Sequence, residues 1–119
     1  MGEAVSWLVE VAVKPGELEN FRALMEEMVR STRAEPGTLS YEWFVSDDGS
    51  VVQIYERYAD SAAVLAHGAT FAEKFAERWV AAVDPIRFTV FGTPSEEAKA
   101  ALSPLRPTYL RPFGGFVRS

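Results

Sequence analysis

The chain has 119 residues, 48% of them hydrophobic and 24% charged, with a net charge of −5. That is the size and composition of one folded domain. It excludes a disordered polymer or a membrane-spanning segment and argues against a nucleic-acid partner, which needs concentrated basic surface. Cysteine is absent and His67 is the only histidine, which excludes disulfides, thiolate chemistry and a zinc site of the ordinary several-ligand kind, so no metal is expected.

Residues 4–13 alternate, with Val5, Trp7, Val9, Val11 and Val13 on one side and Ser6, Leu8 and Glu10 on the other. This is the period of a strand. Lys14-Pro15-Gly16 ends it and opens a helix over 16–34. There Leu18, Phe21, Met25, Met28 and Val29 form an apolar stripe, with acids in the first turn and Arg30 and Arg33 in the last. Pro36-Gly37 stops that helix. Residues 38–46 and 51–58 read as a hairpin around Ser46-Asp47-Asp48-Gly49.

Asp60 can cap a second helix, which meets Gly68, a costly interior residue. Thr70-x-x-Glu73 then has the form of a fresh capping box. The expectation is two pieces, 61–67 and 71–82, with a kink between them that leaves room for a ligand beside His67. Residues 86–92 make a fourth strand. Thr93-Pro94-Ser95-Glu96 opens a short helix over 94–103, and an apolar, basic segment from Tyr109 to Arg118 runs extended.

The order is β-α-β-β-α-β, the ferredoxin-like split arrangement of the α+β class, with an antiparallel sheet and both helices on one face. Large apolar residues on both strand faces (Trp7 and Leu8, Trp43 and Phe44, Phe88 and Phe91) call for a cover on the open face, and a second copy of the sheet is the simplest one. The division expected is a domain over 1–93 and a helix-plus-arm extension over 94–119 lying on the partner. The extension carries +2 against −7 for the rest, which suits docking on an acidic body. Met1-Gly2-Glu3-Ala4 lacks a basic stretch ahead of an apolar one, so a cytoplasmic protein without a secretory leader or membrane association is expected. No phosphate-binding loop, dinucleotide fingerprint or nucleophile elbow occurs.

The runs PGELENFRALMEEMVRSTRAEPGTLSYEWF and VVQIYERYADSAAVLAHGATF resemble the antibiotic biosynthesis monooxygenase domain over about residues 5–92. Pro15-Gly16, Glu35-Pro36-Gly37, Tyr41-Glu42, Tyr55-Glu56-Arg57-Tyr58 and Ala66-His67 followed by Phe71 carry the likeness. The resemblance implies a homodimer whose sheets join into an α+β barrel. It also implies a pocket between sheet and helices in each subunit, and oxidation of small aromatics or quinols by O2 without a metal or organic cofactor. The related haem-degrading branch has a strand-one Asn and a His one turn beyond the helix-two Phe. Here strand one has no Asn and position 75 is Phe, so haem is not expected.

His67, Tyr58 and Glu56 are the candidate catalytic residues. His67 stands where the family pattern has its histidine, as a base or hydrogen-bond partner for a phenol; it reads equally as a core histidine bonded to a carbonyl. Tyr58 holds the family's aromatic position. Glu56 shares its strand face, as a proton acceptor or as half of a salt bridge to an arginine. Trp7, Phe71, Phe75, Phe88 and Met25 are candidate pocket walls, and each also reads as plain core. A non-catalytic binding or accessory protein, or a polyketide-type isomerase or cyclase, would use the same residues.

Overall fold

The computed structural model describes residues 3–118; Met1, Gly2 and Ser119 lie outside the described residues. Strand β1 (Val5–Val13) is followed by α1 (Leu18–Arg33), the hairpin β2 (Thr38–Val45) and β3 (Val51–Tyr58), and α2 (Ser61–Lys74). Then come α3 (Ala76–Ala82), β4 (Val83–Phe91), α4 (Glu96–Leu102), a 3-10 turn and β5 (Thr108–Leu110). The sheet order is β2-β3-β1-β4-β5.

The alternation in β1 places it at the centre of the sheet. Trp7 stands opposite Glu56 on β3 and Val90 on β4, while Leu8 stands opposite Tyr55 and Thr89. Val5, Trp7, Val11, Val52, Ile54, Tyr58 and Val90 are all buried against helices. One group of them packs on Phe21, Leu24 and Met28 of α1, the other on Val64 of α2 and on Ala98 and Leu102 of α4. The helices thus share one face, as the sequence reading expected. The opposite face keeps large apolar groups near solvent, with Phe44 55% exposed.

Four elements differ from the sequence reading. The first four strands are antiparallel, but Thr108–Leu110 adds a fifth strand parallel to β4, so the whole sheet is mixed. Strand β4 begins at Val83, ahead of the expected 86, and pairs from there with Val13. The extension's helix is capped by Ser95, whose Oγ accepts from Ala98 N at 3.1 Å, so Thr93 is not the cap. Ser95 N in turn donates to Ser61 Oγ at 2.9 Å, fastening the extension to the start of α2.

The fourth difference bears on the site. Helix α2 runs unbroken through Gly68, and Thr70 and Glu73 lie inside it. One glycine costs a helix only about 1 kcal/mol, less than the packing that the buried Val64 and His67 hold in the turn before it. The direction changes instead at Phe75 (φ −126°, ψ −18°). There the backbone bonds Phe75 N to Phe71 O and Trp79 N to Phe75 O, both 2.9 Å, carry on across the bend. The Phe75 ring is drawn into the core. Arg78 of α3 then makes a two-pronged pair with Glu27 of α1 at 2.8 and 2.9 Å.

Candidate functional site

The site is a row across the sheet with one helix laid over it. Tyr41 on β2 stands opposite Glu56 on β3, which stands opposite Trp7 on β1. Tyr58, two residues beyond Glu56, lies on the same face. Over this row α2 places His67, one turn past Val64 and one turn before Phe71. Helix α2 comes this close because of Gly37: a Cβ there would sit 2.6 Å from the Ala63 Cβ. Gly37 also accepts a hydrogen bond from Ala59 N at 2.9 Å, which locks the α1–β2 loop to the end of β3.

Those close approaches assemble a chain of four polar groups. His67 Nδ1 is 3.0 Å from Glu35 Oε1, and His67 Nε2 is 3.5 Å from Glu56 Oε1. The Tyr58 hydroxyl donates to the same Glu56 oxygen at 2.5 Å. Thr38 Oγ1 donates to Glu35 Oε1 at 2.8 Å. Tyr58, Glu56 and His67 are all buried, at 0, 5 and 8% exposure. Neither carboxylate has a Lys or Arg partner among the described residues; the imidazole lies between them.

Burial sets the proton affinities. It pushes the Glu56 carboxyl above its usual range; the His67 imidazole and the Tyr58 hydroxyl pull it down without cancelling that effect. Burial also raises the Tyr58 phenol, and the negative charge of Glu56 and the hydrogen bond to it raise it further, so Tyr58 stays a neutral donor. Tyr41 is raised in the same way, by burial and then by Glu56.

Aromatic rings wall the chain. Trp7 lies 4.7 Å from Tyr58 and 5.4 Å, edge to face, from Phe88. His67 lies 5.2 Å from Tyr58 and 5.6 Å from Tyr41. The structure therefore brings together His67, Tyr58, Glu56, Trp7 and Phe88. It separates the remaining candidates. Phe71 and Phe75 belong to the neighbouring core around α1 and α3, where Phe71 packs edge to face on Trp79 at 5.7 Å. Phe75 also borders a polar surface cleft of about 320 Å³ with Glu27, Arg30 and Lys74. Met25 lines an apolar cleft of about 110 Å³ with Leu18, Phe21, Trp43 and Val45, at the other end of the sheet face. Neither cleft is lined by His67 or Tyr58. Helix α2 has no kink at Gly68, so the opening that such a kink was expected to make beside His67 is not formed in that way.

Two members of the cluster are absent from the sequence-derived candidates, Glu35 and Tyr41. A signal for Glu35 exists. It is an acid just past the C-terminal turn of α1, where the helix dipole disfavours negative charge, so it needs a cationic partner from elsewhere in the fold. For Tyr41 the signal is its place on the helix-facing side of β2, two residues from Trp43.

Comparison with known proteins places this geometry in context. The family model described as antibiotic biosynthesis monooxygenase matches residues 5–71. A Mycobacterium tuberculosis protein, Rv0793, provisionally named a monooxygenase, is 33% identical over 67 residues, 56% of this chain and 66% of that protein's length. Its solved structure superposes with a TM-score of 0.61 at 26% identity, over 78% of this chain and 97% of that one. MupZ of Pseudomonas fluorescens superposes with a TM-score of 0.87 at 23% identity, over 99% of this chain and 91% of that one. At that identity the likeness is one of fold, and it takes in the C-terminal extension.

Proposed function

The chain belongs to the antibiotic biosynthesis monooxygenase family, and on that premise we propose that it is a cofactor-independent monooxygenase of a small phenol or quinol. The observation that supports this is the buried imidazole of His67, set between two carboxylates and walled by Tyr58 and Tyr41, with Trp7 stacked behind Tyr58 and Phe88 against Trp7. An electron-rich anion is what O2 oxidises without help. The protein's task is to hold an aromatic substrate out of water and take its hydroxyl proton. His67 is the base in this reading. Glu56 supports the imidazolium that results, and Tyr58 stays protonated and orients the substrate or its neighbours. The phenol loses its O–H proton to His67 and gives electrons to O2. One oxygen atom enters the ring and the other leaves as water, with a quinone as product.

Proposed with it is a homodimer. Phe44, 55% exposed, stands on the sheet face that carries no helices, and Phe113 and Phe116, 103 and 79% exposed, touch almost nothing of their own chain. A second copy would cover both, with the arm lying along the partner. A cytoplasmic location goes with this reading. Among the described residues no helix is long and apolar enough to cross a membrane.

One observation favours a second reading, an isomerase or cyclase of polyketide-like substrates. Glu56 holds its proton more tightly than an ordinary carboxyl and Tyr58 stays a donor, so the cluster contains both an acid and a base and has no need of O2. Oxygen uptake with a panel of phenols and quinols decides between the two. The monooxygenase reading expects uptake that His67→Ala lowers by about 10²–10⁴-fold, the range for a positioned base, in a variant with an unchanged circular dichroism spectrum. Turnover of a panel member under argon, with no uptake in air, selects the isomerase or cyclase.

A further inference from the structure

Glu35 accounts for a feature of the cluster that His67, Glu56 and Tyr58 leave open. A neutral imidazole carries one proton, on either ring nitrogen, and its hydrogen-bond partners choose which. Nδ1 faces Glu35 Oε1 at 3.0 Å, a good hydrogen-bond distance, while Nε2 faces Glu56 Oε1 at the longer 3.5 Å. The other Glu35 oxygen, Oε2, is buried and has no hydrogen-bond partner among the described residues. Apart from the Thr38 hydroxyl, His67 is the group to which Glu35 directs its charge.

We propose that Glu35 is the positioning residue of this site: it holds the His67 proton on Nδ1, so that Nε2, the atom facing Glu56, is the one left for proton transfer. This deepens the role given to His67 above and rests on that reading only for its consequence in turnover. With Nδ1–H given to Glu35, the Nε2 lone pair faces Glu56 Oε1 at 3.5 Å, an oxygen that also accepts from Tyr58. A protonated Glu56, the form that burial favours, can donate to Nε2; an ionised Glu56 leaves Nε2 free to take a substrate's proton and stabilises the imidazolium that results.

The groups that face His67 are Glu35 from the α1–β2 loop, Glu56 and Tyr58 from β3, and Tyr41 from β2. Tyr58 already donates its hydroxyl hydrogen bond to Glu56, and Tyr41 meets the imidazole ring edge to face. Within this set Glu35 is the partner placed to fix the tautomer. Its role is that of a carboxylate that orients a catalytic histidine while a different atom of the ring does the proton transfer.

Because His67 is the only histidine in the chain, its two ring nitrogens give one pattern in a long-range proton–nitrogen spectrum of 15N-labelled protein. The full chain is recorded without substrate. Where the imidazole holds one proton, that proton is expected on Nδ1, opposite to the form free histidine prefers. Glu35→Leu should move it to Nε2. Glu35→Gln, which keeps an acceptor oxygen, should restore Nδ1–H. Thr38→Val, which removes only the hydroxyl that also binds Glu35, should leave the tautomer as in the wild type.

The proposal is overturned by a wild-type neutral imidazole with its proton on Nε2, by a folded Glu35→Leu protein with the wild-type tautomer, or by an imidazole doubly protonated at every pH at which the protein is folded. The wild-type spectrum decides even if Glu35→Leu does not fold. None of these outcomes depends on O2, so the expected tautomer combined with no oxygen uptake on any substrate would reject the oxygenase reading alone.

Discussion

Tyr58 gives its phenolic hydrogen to Glu56, two residues before it on the same strand and on the same face of the sheet. Both are buried, so the bond has no water to replace it. Tyr58→Phe keeps the ring packing on Trp7 and removes only the donor. Glu56 then keeps only His67 and the Trp7 indole N–H beside it, and the expected loss is about 1–3 kcal/mol, the cost of leaving a buried acceptor short of a partner. Urea unfolding with an unchanged m value is the measurement; an unchanged midpoint would show that the hydroxyl contributes nothing.

The raised proton affinity of Glu56 makes stability depend on pH in a definite direction. The folded state holds this proton more tightly than the unfolded chain, whose carboxyl has its ordinary value of 4.5. The associated stability is therefore complete below that value and is lost as pH rises through the folded-state value. Glu56→Gln has no proton to lose. Its melting temperature should exceed that of the wild type by a margin that widens as pH rises above 4.5. Scanning calorimetry across this window checks the sign, and a margin that narrows with rising pH would contradict it.

Gly68 lies within α2, is exposed, and has no atom within 4 Å of where a Cβ would sit. Gly68→Ala should stabilise the protein by about 0.5–1 kcal/mol, because alanine loses less backbone freedom in a helix and here meets no obstacle. A destabilised variant would mean that the helix is bent at this residue in solution.

Residues 111–118 are exposed throughout in the single chain, with Arg111 and Arg118 set among Phe113, Phe116 and Val117. Removing residues 111–119 leaves β5 and its pairing with β4 in place. In the proposed dimer this truncation should raise the dissociation constant by at least tenfold, measured by sedimentation. Equal association in the truncated and full chains would leave the arm without a role in assembly.

Gly37→Ala should separate α2 from the α1–β2 loop. The added methyl would meet the Ala63 Cβ at 2.6 Å, and the clash cannot be relieved by rotating a side chain. An expected cost of about 1–3 kcal/mol follows from overpacking. The His67–Glu35 contact should loosen with it, visible in the ring nitrogens of His67. A stability equal to the wild type would show that the two segments part easily.

The period of the apolar residues determined the order of the first four strands, the two main helices and the face each presents. Alternation from Val5 to Val13 put Trp7 on the helix side, and the same rule put Glu56 and Tyr58 together on β3. Side-chain direction along one strand is local geometry, so it is legible without a fold. The position of His67 on its helix was legible for the same reason. What joins these residues across the chain was not. Glu35 lies 32 residues before His67, and their contact depends on the close approach that Gly37 allows to Ala63, a relation between two elements that no local period encodes. The bend at Phe75 rather than Gly68, the parallel pairing of β5, and the separation of Met25, Phe71 and Phe75 from the His67 cluster were likewise decided by packing. At each of these points two local conformations of similar energy were open, and the contacts of the assembled core exceed the few tenths to about 1 kcal/mol by which residue preference separates them.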